Sequence, residues 1–507
     1  MNNDSSPDQS TKKTDANATA QSTELTNLSA SQLADLIQQR KVSSLEILEA
    51  HLERVKRYNP KINAVVTIKE KEAREKAIQA DQALDKGENW GPLHGVPMTV
   101  KDTWDVKGMR TTNGVHWLKK NISQQNAVVV QRLIDAGAII YGKTNLPFAS
   151  YDWQCNNRGL YPRCNNPWDL TKVPGGSSGG GAAAVAAGFT PLELGSDVAG
   201  SIRYPAHCCG VFGLRITEGL LPYEGHGNIP RSPYTMKHLV SQGPLARYPE
   251  DLKLFLKLFT QGHGPQEQLL KHNQNQHIPI AKARIAWTGD FGEDKICSET
   301  RQVLNRCLDT CKNTGTQVEE VEPPFPLEDA QQIWGIIQGF EYNAATPYLM
   351  RTKLSQWLIR LLGLPLLFGR GAFSRSVGKG ATSSIPDYFE ALYQREKIIK
   401  KLQEFFMKYD FWITPVAVSS AFTHCRTGAK VDVEGETRPY SSLASLYNCT
   451  TAAGAHPIAV LPAGLTRDGL PIGLQIHGRH YHDFQVVDFA TQLARKIPQI
   501  GSPNLGN

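Results

Sequence analysis

The strongest constraint on this chain is a pair of small-residue loops between Pro174 and Arg203. The first reads Pro174-Gly175-Gly176-Ser177-Ser178-Gly179-Gly180-Gly181 and runs into an alanine-rich segment that stops at Gly188. The second reads Leu194-Gly195-Ser196-Asp197-Val198-Ala199-Gly200-Ser201-Ile202-Arg203. Glycine admits φ > 0 and lets other atoms come close to the main chain. Such loops suit a site where backbone N–H groups point at a ligand. Residues 182–187 read as a short helix closed by Gly188, with a strand expected between the loops. Ser177 and Ser178 then lie at a helix N-terminus, where backbone donors and the dipole favour negative charge.

Two chemistries fit that arrangement: anion binding, or a serine nucleophile beside an oxyanion hole. A P-loop needs a lysine after its glycines, and none follows Gly180 or Gly181. A dinucleotide fingerprint should follow a strand, whereas Asn165-Asn166-Pro167-Trp168-Asp169 reads as a turn.

These two loops resemble the signature of the amidase signature family of serine hydrolases. Further blocks fall in the family's order. They are Gly95-Val96-Pro97-Met98-Thr99-Val100-Lys101-Asp102, Gly142-Lys143-Thr144-Asn145, Asn166-Pro167-Trp168-Asp169, Gly213-Leu214-Arg215, Gly243-Pro244-Leu245-Ala246-Arg247 and Gly469-Leu470-Pro471-Ile472-Gly473-Leu474-Gln475. The resemblance covers the chain from about Leu25 onward. It implies an α/β fold: one large domain, 25–507, with a mixed, twisted β-sheet sandwiched between α-helical layers.

The resemblance also implies roles. Ser201 is the nucleophile, Ser177 a bridging serine on a cis non-proline peptide, and Lys101 the base. Val198, Ala199, Gly200 and Ser201 offer N–H groups as the oxyanion hole, with Ser178, Asp197 and Arg203 in support. Ser177 and Ser201 stand 24 positions apart, the family's spacing. Ala199 departs from the glycine that many relatives carry; its methyl leaves the N–H in place.

The chemistry is coherent. A serine hydroxyl is a poor nucleophile until a neighbour takes its proton. Lysine can do so only when neutral, its pKa brought down from about 10.4 by burial or nearby positive charge. Lys101 follows the apolar run 96–100, which reads as a strand ending toward the interior. Blander readings exist: a glycine-serine linker at Ser177, a helix N-cap at Ser201 and a surface lysine at Lys101. An apolar helix directly after Ser178 argues against the linker. From the residues alone Lys143, also at the end of an apolar run, rivals Lys101; the resemblance places the base at Lys101. Asp197 with Arg203 is expected as a structural ion pair, and His207 as a structural histidine.

The remaining sequence limits partners and cofactors. A net charge of +7 without a lysine-arginine block gives no footprint for nucleic acid. No histidine cluster has metal-ligand spacing, so neither metal nor other cofactor is expected. The nine scattered cysteines, with no Cys-x-x-Cys pair, suit a reduced, cytoplasmic protein. The expected partner is a small-molecule amide.

Along the chain, 1–24 is polar and expected to be disordered. Ser29-x-x-Gln32 and Ser43-x-x-Glu46 read as capping boxes. The second opens a helix expected to end at Asn59-Pro60. Strands are expected at 64–68, 138–141, 283–287, 317–321 and 410–414, and helices at 70–84 and 126–136. Residues 261–280 read as an exposed loop. The segment 354–368 is apolar, flanked by Arg351, Lys353, Arg370 and Arg375. Arg360 and Pro365 interrupt it, and it falls short of the roughly 20 residues that span a bilayer. It reads as a cap, about 351–376, over the core or a substrate channel. Lipid amide hydrolases of the family make peripheral membrane contact the sharper alternative. The functional expectation is an amidase acting on linear amides. Its alternatives are the glutaminase component of a tRNA-dependent amidotransferase, a lipid (fatty acid) amide hydrolase and a catalytically silent scaffold.

Overall fold

The computed structural model describes residues 24–227, 235–260, 264–345 and 372–506. The cap segment up to residue 371 and the first 23 residues of the polar tail lie outside them.

Both capping boxes form, Ser29 with Gln32 and Ser43 with Glu46. The second opens the helix Ser44–Ile62, which buries Leu48, Leu52 and Val55. This helix does not end at Pro60 but continues to Ile62 and stops at Asn63, φ 57°. Buried Ile62 anchors the last turn. Asn59 fastens the exit, its side chain accepting from the Ala64 and Val65 N–H groups.

The strands, in chain order, are β1 (Val65–Ile68), β2 (Pro97–Lys101), β3 (Ile139–Thr144), β4 (Leu192–Asp197), β5 (Phe212–Arg215), β6 (Ser241–Ala246), β7 (Arg284–Trp287), β8 (Gln317–Glu320), β9 (Phe411–Pro415), β10 (Lys430–Val433), β11 (Glu436–Pro439), β12 (Ile458–Leu465) and β13 (Pro471–His477). Among the described residues eleven of them form one sheet in the order β1-β3-β2-β4-β6-β5-β12-β13-β9-β7-β8, while β10 and β11 make a separate hairpin. The sheet is mixed: β2 runs parallel to β3 and β4, and β4 antiparallel to β6. Helices flank it, completing one large α/β domain.

This topology explains how distant residues meet. Parallel β2 and β4 pair through Thr99 with Glu193 and Val100 with Leu194. Their C-terminal ends therefore reach the same edge of the sheet, where ligands of such sheets are held. Lys101 ends β2 and Asp197 ends β4. Between the serine loops the helix Gly179–Ala186 is buried along its whole length. Gly180 makes this packing feasible: a Cβ there would lie 2.4 Å from the Asn145 backbone nitrogen.

The polar region 261–280 is not simply an exposed loop. It contains the helix Pro265–Asn273, which buries Leu270 and pairs buried Glu267 with Arg132. Its polarity reflects one narrow inward face on an otherwise solvated helix.

Candidate active site

Lys101 is fully buried, and its Nζ donates to Ser177 Oγ at 2.6 Å and to Ser196 Oγ at 3.1 Å. The Gly176–Ser177 peptide is cis. Ser177, Ser196 and Ser201 line one open cavity. Ser201 is half-buried there, whereas Ser177 is buried. The two loops are stitched together by the Ser178 N–H, which donates to the Ser201 carbonyl at 3.0 Å. The direct link between the Ser177 and Ser201 hydroxyls is not among the hydrogen bonds of the described residues. Such contacts commonly tighten only when substrate is bound.

Burial brings the Lys101 ammonium down to about 7, against the opposing pull of Asp197, Cys155 and Glu193. The amine is thus available as a base near neutrality. Burial also raises Glu193 to about 7, opposed by the Thr144 and Thr99 hydroxyls and by both lysines. Lys143, the rival base, is equally buried but otherwise committed. It pairs with Asp102 at 3.3 Å and donates to the Trp104 carbonyl at 2.7 Å. It does not line the cavity.

Asp197 and Arg203 form the expected pair, both fully buried, at 3.1 Å and 3.0 Å. Burial alone would raise the Asp197 carboxyl, but Arg203, then Arg215, hold it at about 2. Asp197 also accepts from the Gly200 and Ile202 N–H groups at 2.9 Å and 3.0 Å. This bears on the four N–H groups expected to form the oxyanion hole, those of Val198, Ala199, Gly200 and Ser201. The Gly200 N–H is engaged by Asp197, and Gly200 is not among the described residues that line the cavity. Ala199 and Ser201 line the cavity, and among the described residues their N–H groups donate to no protein acceptor. Val198 lines it too, its carbonyl accepting from Trp334 Nε1 at 3.1 Å. Gly200 has a conformational role instead: its φ is +91°, and a Cβ would meet Asn448 Cγ at 2.5 Å.

His207 is structural. Its Nδ1 accepts from the Gly473 N–H at 3.0 Å, leaving Nε2 to donate to the Ser419 carbonyl at 3.1 Å. Among the described residues no three potential ligands cluster around a metal position, no helix is long and apolar enough to cross a membrane, and the nine cysteines are unpaired.

Sequence reasoning expects pocket walls from 335–373 and 440–451, which takes in Gln338 and Tyr342 without naming them, and it misses Trp334, Asp152 and His226. Trp334, Gln338 and Tyr342 line the cavity from one face of the helix Leu327–Ala345. Their four-residue spacing was the available signal. Gln338 Nε2 donates to Tyr151 at 2.7 Å, while its buried Oε1 has no partner among the described residues. Asp152, another cavity residue, is raised to about 6 by burial and accepts from Tyr440 at 2.8 Å. His226 lies 2.9 Å from Ser196 Oγ and carried no signal in its glycine-flanked turn.

The sequence model of the Amidase family matches residues 46–487. The chain is 32% identical over 480 residues to an acylamidase of Rhodococcus erythropolis, covering 93% of this chain and 96% of that protein. It is 30% identical over 485 residues to one component of the glutamyl-tRNA(Gln) amidotransferase of Thermoanaerobacter pseudethanolicus, covering 92% of this chain and 96% of that one. A solved structure described as an amidase superposes with a TM-score of 0.76 at 25% identity, over 93% of this chain and 100% of that one. The chain therefore belongs to the amidase signature family of hydrolases that act on carbon–nitrogen bonds.

Proposed function

We propose that the chain hydrolyses linear carboxylic amides to the acid and ammonia or an amine. Ser201 Oγ attacks the carbonyl carbon, its proton passing to Ser177 Oγ while the Ser177 proton passes to Lys101 Nζ. The N–H groups of Ala199 and Ser201 stabilise the oxyanion. The leaving amine receives its proton back along the same path. Water, activated by the same base, then releases the acid from the Ser201 ester.

The observation that carries this reading is the Lys101–Ser177 contact: a buried amine, brought near neutrality, held 2.6 Å from a hydroxyl in the cavity that Ser201 shares. Ser201→Ala and Lys101→Ala are each expected to abolish turnover across a panel of small, aryl and fatty amides while leaving the fold intact. Normal rates in Ser201→Ala would end the assignment.

The likeness to an amidotransferase component favours a second reading, a glutaminase that hands ammonia to partner proteins. Glutamine hydrolysis that appears only when such partners are added would select it. Turnover of simple amides by the chain alone selects the first.

A further inference from the structure

The lysine has a second hydroxyl neighbour. Ser196 Oγ accepts from Lys101 Nζ at 3.1 Å and lies 2.9 Å from His226 Nε2. All three side chains are buried. The His226 ring is clamped. Tyr223 stacks on it with 4.4 Å between centroids, and Trp104 meets it edge-on at 4.5 Å. The Trp104–His226 β-bridge pins its backbone.

The orientation of the Ser196 proton matters to the base. A neutral amine has two N–H donors and a single lone pair. Ser177 must donate into that lone pair for the relay to run. A Ser196 hydroxyl turned toward Lys101 would occupy the same lone pair and block it. His226 Nε2 is an acceptor within reach that can hold the Ser196 proton away. To accept, the imidazole must be neutral with its proton on Nδ1. Burial, then the charges of Lys101 and Lys143, hold its pKa well below the ordinary value. The cost of this tautomer is visible: among the described residues, buried Nδ1 finds no hydrogen-bond partner. His207, by contrast, uses both ring nitrogens.

We propose that His226 is a positioning residue whose Nε2 accepts the Ser196 hydroxyl and so keeps the Lys101 lone pair open to Ser177. The proposal rests on the Ser201–Ser177–Lys101 reading above.

A fluorophosphonate tests it without knowledge of the natural substrate. Ser201 Oγ bonds to phosphorus, the P–F bond breaks, and fluoride leaves as the serine proton passes to the base. A concentration series separates the maximal labelling rate from probe binding. His226→Phe is expected to lower the maximal rate at least tenfold with binding unchanged. His226→Gln, whose side-chain carbonyl can accept the same proton, should recover most of it. In a Ser196→Ala background His226→Phe should change the rate less than twofold, because no hydroxyl remains to be held. An equal loss in that background, or no recovery with His226→Gln, overturns the proposal. Should His226→Phe fail to fold, His226→Ala replaces it; restoration by added imidazole supports the proposal and its absence overturns it. Lys101→Ala, run alongside, separates the two levels. If Lys101→Ala labels at the wild-type rate, the triad reading itself fails. If Lys101→Ala is inert but His226→Phe is fully reactive, only the positioning role fails.

Discussion

The Gly200 N–H donates to Asp197 Oδ1 at 2.9 Å, so the carboxylate that anchors Arg203 also shapes the loop that presents Ser201. One buried ion pair thereby fixes the position of Ser201, the proposed nucleophile. Arg203 extends the brace, donating to Thr451 and Gln475 at 2.8 Å each and to the Asn448 carbonyl at 3.0 Å.

Removing that carboxylate should cost stability and activity together. Asp197→Ala leaves the buried Arg203 guanidinium without its counter-charge, while Arg215 keeps Glu218 at 3.4 Å; the loss is about 3–5 kcal/mol, readable as a fall in the denaturant midpoint. The pH dependence follows from the sign of the shift. The Asp197 carboxyl titrates at about 2 when folded against 3.8 unfolded. Its contribution is therefore present above 3.8 and lost as pH falls through about 2.

Gly200→Ala should spare much of the fold and damage the chemistry. The new methyl meets Asn448 in a loop held at positive φ, displacing the neighbouring N–H donors. Loss of an oxyanion donor costs about 10²–10³ in kcat. Steady-state kinetics should show the deficit in kcat more than in KM.

A neutral lysine base sets the acid limb of the pH–rate profile. With Lys101 titrating at about 7, kcat/KM should fall about tenfold per pH unit below that value. A profile flat down to pH 5 would contradict a lysine base.

The same depressed pKa implies a trade of stability for function. Folded Lys101 titrates at about 7 against 10.5 unfolded, so burying the charge destabilises the fold most below 7. That burden fades as pH rises from 7 toward 10.5. Lys101→Met is expected to be inactive yet to melt at a higher temperature than the wild type at pH 6, with the gap closing by pH 10.

The meeting of Lys101, Ser177 and Ser201 at one cavity was legible because these residues sit in short, patterned segments. Lys101 ends a continuous apolar run, and both serines lie in loops whose small residues leave few alternatives. The commitment of the Gly200 N–H was not legible, since it depends on where the Asp197 carboxylate turns. His226 was invisible for a related reason: it meets Ser196 across 30 positions through folding of a turn with no periodic pattern. The course of the helix beyond Pro60 was missed because Ile62 and Asn59 supply the anchoring, and tertiary packing overrides a local breaker. The helix Pro265–Asn273 hid behind a polar composition because it buries few residues.

The central claim is that Ser201 carries the acyl group. Protein quenched in acid during turnover of an amide substrate and digested for mass spectrometry tests it most directly. The account predicts one acyl adduct on the peptide that contains Ser201, absent from Ser201→Ala and Lys101→Ala. An adduct on a different residue, or turnover by Ser201→Ala at the wild-type rate, would contradict it.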